Sequence, residues 1–194
     1  MTLEEAVRRI DQAAKEKLIE LDLSGLGLEE LPPEIGKCTQ LETLLLGGEF
    51  DEEKRITVGN KLTEFPDAVL QLTNLKILNL SWNQITAIPK ALGQLSNLTQ
   101  LTLFGNQITC IPEAIGQLSN LTELYLGENQ ITSIPEAIGQ LSNLILLDLD
   151  ENEITSIPEA LGQLSNLTQL GLSGNQITSI PEALRQLPML KIYE

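Results

Sequence analysis

A unit of 23 residues recurs through most of this chain of 194 residues, and its constant part reads Leu-x-x-Leu-x-Leu-x-x-Asn-x-Ile/Leu. Clear copies begin at Leu75, Leu98, Leu121, Leu144 and Leu167, and divergent copies begin at Leu18 and Leu41. A single unit cannot bury its own apolar side chains, whereas stacked units place each of them against its equivalent in the next unit. The period therefore predicts a solenoid with one coil per unit and one continuous core.

Each unit divides into a strand and a return segment. The Leu-x-Leu pair has the two-residue period of a strand with one face turned inward, and equivalent strands should stack in parallel about 4.8 Å apart. The return segment reads Ile-Pro-Glu-Ala-Ile/Leu-Gly-Gln-Leu-Ser-Asn. Its proline suits a first helical position, and its glycine limits the length of any helix. We therefore expect an α/β solenoid with a parallel concave β-sheet and short helical or 3₁₀ turns on the convex side.

An asparagine occupies the ninth position of most units, directly after the expected strand. The chain must turn out of the sheet there, which leaves backbone N–H and C=O groups without partners. An amide side chain can serve both kinds of group, so we expect a buried structural ladder of hydrogen bonds rather than a ligand site. The ladder residues are Asn60, Asn83, Asn106, Asn129, Asn152 and Asn175.

The chain divides into a helical N-terminal cap, residues 1–17, and a solenoid of about seven repeats plus a truncated eighth, residues 18–194. Thr2 and Glu5 have the spacing of a capping box, and apolar residues recur at helical spacing from Leu3 to Leu18. An amphipathic helix here would cover the open end of the first coil. A membrane-surface helix is disfavoured because its polar face mixes both charges and lacks bulky aromatic residues.

The C-terminal residues 190–194 begin an eighth unit and end within its strand. Either further repeats or another domain follow in a parent protein, or the open end associates with a second copy of the chain. The first alternative is favoured because proteins normally cover exposed strand edges.

An insertion interrupts the second unit, where Leu46 and Asn60 are separated by 11 extra residues within the stretch 47–59. Insertions in solenoids often serve binding, and Phe50 lies among acidic residues that could contact a partner. A tolerated surface loop is the alternative, and the sequence leaves both interpretations open.

Positions 3, 5, 7 and 8 of each unit are not dictated by the repeat, and their side chains should project from the concave sheet. Aromatic residues make up only 3% of the chain, yet three of them fall at these positions on successive coils. Exposed aromatic side chains beside carboxylates are typical of a protein-recognition surface, although neutral variation of exposed positions is an alternative. The predicted partner-binding residues are Trp82, Phe104, Tyr125, Glu128, Asp148, Asp150 and Glu151.

The formal net charge of −15 argues against nucleic acid and anionic membranes, both of which require clustered Lys and Arg. We expect instead a protein partner with a basic or mixed polar surface, or a neighbouring domain of a parent protein. The chain contains no run of 18 apolar residues that could span a membrane, and its N-terminus lacks the apolar core of a secretory signal. Because Cys38 and Cys110 lie three coils apart, too far for a disulfide, a cytoplasmic location is expected.

Neither catalysis nor a cofactor is indicated. The chain contains no histidine and no nucleophile-elbow or phosphate-loop motif, and neither cysteine has a base to activate it. Asp148 and Asp150 could form a carboxylate pair, but a regular solenoid face offers no deep cleft. A calcium-dependent adhesion site formed by Glu128, Asp148, Asp150 and Glu151 is a weaker alternative, since the spaced Asp/Asn/Gly loop of a dedicated site is missing.

The repeats, with Leu-Pro or Ile-Pro followed by Glu-x-Ile/Leu-Gly-x-Leu-x-x-Leu, resemble the 23-residue class of intracellular Ras-related leucine-rich-repeat proteins. More narrowly, Thr2-Leu-Glu-Glu-Ala, the stretch 18–28 and the loop-bearing second repeat resemble the N-terminal region of bacterial, especially cyanobacterial, Roco proteins. The resemblance implies a non-catalytic scaffold followed in a parent protein by GTPase and COR domains. A free-standing, self-associating structural repeat protein is the alternative.

Overall fold

The computed structural model describes residues 2–51 and 56–194, except that the side chains of residues 2, 49–51 and 56–58 lie outside the described part. The capping box at Thr2 and the partner contact at Phe50 therefore stay predictions. We number the coils 1 to 7 from the repeats that begin at Leu18, Leu41, Leu75, Leu98, Leu121, Leu144 and Leu167.

One strand from each coil joins a single parallel sheet, which confirms the predicted α/β solenoid. Within the described residues this sheet has eight strands, each paired with the strand of the next coil, and the insertion forms a separate antiparallel hairpin. The parallel strands are β1 (Glu20–Asp22), β2 (Thr43–Leu45), β5 (Ile77–Asn79), β6 (Gln100–Thr102), β7 (Glu123–Tyr125), β8 (Leu146–Asp148), β9 (Gln169–Gly171) and β10 (Lys191–Tyr193). The hairpin strands are β3 (Glu49–Asp51) and β4 (Ile56–Val58).

Short 3₁₀ helices form the convex side of coils 1 to 6, and an α-helical turn takes their place in coil 7, so both of the expected kinds of turn occur. In the described part of the chain the 3₁₀ helices span Pro33–Lys37, Asp67–Gln71, Lys90–Gln94, Glu113–Gln117, Glu136–Gln140 and Glu159–Gln163. The prediction that the proline of the return segment takes the first helical position is wrong by one residue. Pro112 precedes its helix in an extended conformation, and its carbonyl accepts the first helical hydrogen bond, from the N–H of Ile115 at 3.0 Å.

The core consists of columns of aliphatic side chains that run from coil to coil. The central residues of successive strands, such as Leu78, Leu101 and Leu124, are paired in register and fully buried. Full burial of one such side chain contributes about 1.5–3 kcal/mol, and only the neighbouring coils can supply it. The glycines of the convex turns allow this close stacking, since a β-carbon on Gly116 would lie 2.6 Å from the carbonyl oxygen of Ala137 in the next coil.

The asparagines at position 9 form hydrogen bonds that join neighbouring coils. In coil 4, Asn106 Oδ1 accepts from the N–H of Ile85 at 3.0 Å, while Nδ2 donates to the carbonyls of Leu80 (3.0 Å) and Leu103 (2.9 Å). The other five predicted ladder residues repeat this arrangement. Each side chain thus satisfies backbone groups of its own coil and of the preceding one.

A second row of asparagines, which the ninth-position pattern did not include, runs along one flank. Asn120 Nδ2 donates to the carbonyl of Ser96 in the preceding coil at 2.8 Å, and Asn74, Asn97, Asn143 and Asn166 make equivalent bonds. These side chains are exposed to solvent. The signal in the sequence was the asparagine that closes each return segment.

The N-terminal helix α1, Thr2–Glu16, packs on the first coil. Its buried face consists of Ala6, Ile10 and Ala13, whereas Leu3, which the periodicity assigned to this face, is 46% exposed. Small alanines let the helix approach the coil closely, so the apolar contact shifts away from the longer leucine. Cys38 is buried beneath the helix and donates its S–H to the carbonyl of Ile10 at 3.4 Å.

Arg9 links the polar edge of this helix to the first coil. Arg9 donates to the carbonyl of Asp22 in coil 1 at 3.0 Å and forms an ion pair with Glu5 at 2.8 Å. Hydrogen bonds from Arg8 and then Arg9 lower the pKa of Glu5 to about 2. The cap is therefore held by both apolar and charged contacts.

The last coil is one residue shorter than the period predicts. The residue 23 positions after the buried Leu170 of coil 7 is Tyr193, so the period predicts that these two residues pair. In the structure Ile192 pairs with Leu170 instead, and Tyr193 pairs with Gly171. This register turns the aliphatic Ile192 toward the core and leaves the phenol of Tyr193 half-exposed. The return segment of this coil is an α-helical turn, α2 (Glu182–Arg185).

The two asparagine rows should differ in their importance for stability. Asn106→Ala leaves the buried N–H of Ile85 without a partner, so we expect a loss of about 1–3 kcal/mol in the free energy of unfolding, measured by urea denaturation. Asn120→Ala is the matched control, and it should cost less than about 1 kcal/mol because water can replace the exposed amide. Equal losses for the two variants would contradict this assignment.

Candidate protein-binding face

The concave face is built from the two outer residues of each strand, at positions 3 and 5 of the unit, and from positions 7 and 8, which follow a buried leucine at position 6. In β7, for example, Leu124 is buried, whereas Glu123 and Tyr125 are only partly covered. Parallel pairing places Tyr125 directly beside Asp148 of β8. The structure thus brings the predicted residues of coils 3 to 6 onto one side of the solenoid.

The three aromatic side chains are half-buried, which corrects the expectation that they are exposed. The rings of Trp82 and Phe104 meet edge to face, with centroids 5.3 Å apart and an angle of 67° between planes. Each ring leans over a glycine of the next coil: a β-carbon on Gly105 would lie 2.7 Å from Trp82 Cε3, and one on Gly127 would lie 2.9 Å from Phe104 Cε2. The missing side chains of these glycines therefore make room for the rings.

Position 8 of the unit is a left-handed turn, a property that sequence reasoning missed. Gly105 and its equivalents Gly25 and Gly174 adopt φ values of 65° to 71° there. Three predicted binding residues take the same conformation without being glycine, namely Trp82 (φ 54°), Glu128 (φ 50°) and Glu151 (φ 53°). An L-residue pays about 1–2 kcal/mol for this conformation, and such strain often marks functional positions.

The acidic side chains of coil 6 are oriented by backbone hydrogen bonds. Asp148 Oδ1 accepts from the N–H of Asp150 at 3.0 Å, and Asp150 Oδ1 accepts from the N–H of Ser173 in the next coil at 2.7 Å. Asn79, the equivalent of Asp148 in coil 3, makes the same kind of bond: its Oδ1 accepts from the N–H of Ser81 at 2.9 Å. These carboxylates are therefore held in position rather than free to rotate.

Burial perturbs two titratable groups on this face. It raises the pKa of Asp148, an effect that the N–H of Asp150 opposes and the negative charge of Asp150 reinforces. Burial also raises the pKa of Tyr125, and the hydrogen bond from its hydroxyl to Glu123, at 3.0 Å, acts in the same direction. The centre of the face is thus partly shielded from water and negatively charged.

No metal-binding cluster of three or more His, Cys, Asp or Glu side chains occurs within residues 2–51 and 56–194. The four carboxylates weighed as a calcium site thus do not converge, because the two aspartates turn toward backbone N–H groups. Cys38 and Cys110 are free thiols. None of the helices in the described part of the chain has the length and apolar character needed to cross a membrane.

Three stretches of the chain, residues 58–108, 119–177 and 146–192, match the family model for leucine-rich repeats. The chain belongs to the leucine-rich repeat family. Leucine-rich repeats are typically non-catalytic modules that mediate protein–protein interaction, and no catalytic family is indicated. No curated protein matches this leucine-rich repeat chain significantly.

Solved leucine-rich repeat structures are similar to this chain over most of its length. A leucine-rich repeat protein of Leptospira interrogans is 32% identical, with 94% of this chain and 56% of that one covered and a TM-score of 0.64. The plant peptide hormone receptor RGFR1, solved in complex with RGF2, is 31% identical, with 84% and 25% covered and a TM-score of 0.72. The ectodomain of the receptor kinase GASSHO1/SCHENGEN3 from Arabidopsis thaliana, solved in complex with CASPARIAN STRIP INTEGRITY FACTOR 2, is 29% identical, with 84% and 22% covered and a TM-score of 0.61. The leucine-rich repeat chain thus spans about half of the first protein and a quarter or less of the two receptors.

Asp148→Asn should stabilise the protein at pH 7 but not at pH 3. The pKa of Asp148 is raised in the folded protein. The protonated carboxyl therefore contributes fully to the free energy of unfolding below pH 3.8, the ordinary pKa, and this contribution is lost as the pH rises through the folded-state pKa. The amide avoids this loss and keeps an acceptor oxygen for the N–H of Asp150, as Asn79 does for Ser81. We expect a gain below about 1 kcal/mol, since the group is partly solvated.

The measurement is the free energy of unfolding of both proteins at pH 7 and pH 3. Glu159→Gln, on the convex side, controls for the general relief of negative charge. A gain that persists at pH 3 would show that the effect of Asp148→Asn is unrelated to its ionisation.

Gly105→Ala should displace the indole of Trp82. The substitution adds the cost of a left-handed alanine, about 1 kcal/mol, to a clash with the ring. Gly27→Ala is the matched control, because Gly27 has the same φ of 67° but no atom within 4 Å of the added carbon. We expect the larger loss of stability and a shift of tryptophan fluorescence only for Gly105→Ala; identical stability losses would contradict the contact.

Proposed function

We propose that this chain is a non-catalytic recognition module that binds a protein partner on its concave face. The observation that carries the proposal is the placement of Trp82, Glu128 and Glu151 in left-handed conformations where coils 1, 4 and 7 have glycine. Folding alone would favour glycine at these three positions. Rigid aromatic and charged side chains retained at such a cost supply specific contacts in many interfaces.

Two of the similar structures contain a bound partner, which supports the proposal that this chain also binds one. RGFR1 and GASSHO1/SCHENGEN3 were each solved in complex with another factor, RGF2 and CASPARIAN STRIP INTEGRITY FACTOR 2. Both are similar to this chain over 84% of its length. By analogy, we expect a protein or peptide partner. The net charge of −15 favours a basic or mixed polar surface on that partner.

The parent protein is proposed to be a Roco-type signalling GTPase in the cytoplasm. Support comes from the opening Thr2-Leu-Glu-Glu-Ala, from the stretch 18–28 and from the insertion in the second coil. In that setting the partner could be a neighbouring domain of the same protein.

Self-association through the C-terminal end is the second candidate, and it rests on incomplete burial of the last coil. Leu187 is only partly buried, whereas its equivalent Leu164 in coil 6 is fully buried. Met189 and Tyr193 are 72% and 50% exposed. Sedimentation velocity over a range of concentrations distinguishes the candidates, since a concentration-independent monomer excludes self-association.

Capture from a lysate of the source organism tests the concave face. The bait Tyr125→Ser/Glu128→Lys/Glu151→Lys removes one aromatic ring and reverses two exposed charges, so we expect it to retain less than a tenth of the partner bound by the wild-type chain. Glu136→Lys/Glu159→Lys makes the same charge change on the convex side and should retain the partner fully.

Urea denaturation establishes that all three baits are folded before capture is compared. The recovered protein is identified by mass spectrometry, purified and titrated against each bait. A partner that binds the concave-face variant as tightly as the wild-type chain would refute the proposal.

A further inference from the structure

Strand β10 lies at one edge of the parallel sheet, where its only strand partner among the described residues is β9. At the opposite edge, helix α1 packs on coil 1, and Arg9 donates to the carbonyl of Asp22 in β1. A sheet edge without such a cover is a template for pairing with another strand. The edge at β10 can therefore accept a further strand, whereas the edge at β1 is blocked.

A cavity of about 270 Å³ opens at the end of β10. Glu194 aligns there with Leu172, at the position where coils 1 to 7 each bury a leucine, so no apolar side chain fills this space. The apolar part of the lining consists of Leu172, Ile177 and Ile180. Both isoleucines are only partly buried, whereas their equivalents in coil 6 are buried. An apolar side chain inserted into the cavity would supply the cover that a following coil supplies elsewhere.

Met189 offers such a side chain on the other side of the same strand. It precedes β10 and, at 72%, is the most exposed large apolar residue of the described part of the chain. A two-fold axis at Ile192 would pair β10 antiparallel with the β10 of a second copy. Because the strands then run in opposite directions, each Met189 comes to lie beside the cavity of the other copy. The edge is therefore self-complementary.

The distribution of charge also favours a second copy at this edge. Residues 180–194 contain two acidic residues, Glu182 and Glu194, and two basic residues, Arg185 and Lys191, so their formal net charge is zero. Residues 1–179 carry the whole net charge of −15. Repulsion between like charges opposes contact between two copies through their acidic faces, and it is weakest at this neutral end.

We propose that two copies of this chain associate through antiparallel β10 strands, with Met189 of each copy inserted into the cavity of the other. This inference rests on the self-association candidate of the proposed function and specifies its interface. Both Ile192 side chains stay on the core side, so the two sheets join with their concave faces turned the same way. Because the same edge of both copies is used and α1 covers the other edge, the assembly closes at two copies.

Sedimentation velocity over a range of concentrations tests the contact made by Met189. We expect the wild-type chain to show a monomer–dimer equilibrium, and Met189→Lys to raise its dissociation constant at least about tenfold, since an apolar cavity cannot accept an unpaired ammonium group. Ile145→Lys is the matched control, because Ile145 is also an exposed apolar residue, at 44%, but lies on the flank of coil 6. It should leave the dissociation constant unchanged. Circular dichroism establishes that both variants are folded.

A disulfide at the two-fold axis tests the direction and register of the strands. Directly opposed residues of antiparallel strands have Cα atoms about 4.5–5.5 Å apart, which is within the range of a disulfide. Ile192→Cys is made together with Cys110→Ser, so that the remaining native thiol is the buried Cys38. Oxidised glutathione should then link two copies covalently, as seen on a non-reducing gel. Ile145→Cys in the same background should stay unlinked.

A wild-type chain that remains monomeric at all concentrations would overturn the proposal and the self-association candidate together. A dimer that Met189→Lys leaves intact, that Ile145→Lys weakens equally, or in which Ile192→Cys forms no link would overturn the proposed interface alone. Assemblies larger than two copies would do the same, because they require a second edge. Binding on the concave face is tested separately, since Met189→Lys should capture the same partner from a lysate as the wild-type chain.

Discussion

The stacking of one coil on the next is the constraint on which the rest of this structure depends. No coil encloses a core by itself, and the aliphatic columns become dry only because each coil is covered on both sides. Hydrogen bonds follow the same logic: Asn106 satisfies one N–H and one C=O of the preceding coil together with a C=O of its own. Apolar contact and backbone hydrogen bonding therefore fix the same spacing between coils.

This spacing also shapes the concave face. Side chains that follow a strand lie close to the equivalent position of the next coil, so a large residue needs a small neighbour there. Trp82 is accommodated by Gly105 and Phe104 by Gly127. Where large and small residues alternate in this way, the face accommodates aromatic rings without any departure from the regular fold. The acidic residues of coils 5 and 6 then give one half of the face its charge.

Much of the framework could be predicted because the same residue type occupies each structural position in several successive repeats. Leu78, Leu101 and Leu124 occupy equivalent positions, so their common burial followed from the period. The exposure of Trp82, Phe104 and Tyr125 could not be predicted in this way, since it depends on which residue stands one coil away. The left-handed turn at position 8 was signalled by Gly25, Gly105 and Gly174, but the non-glycine residues of the other coils concealed the pattern. At the N-terminus, alanines replaced a leucine in the buried face because the distance between helix and coil decides which side chain fits.

The sequence by itself determined the class of fold, the parallel sheet, the position of the core and the excess of negative charge, because periodicity and composition are properties of the chain alone. Only the tertiary structure decided the type of convex turn, the register of the last strand and the pairing of each ring with a glycine. It also decided that the ring of Phe104 and the carboxylate of Asp148 both pack against Gly127. These features depend on contacts between residues about 23 positions apart, and such contacts exist only once the coils are stacked.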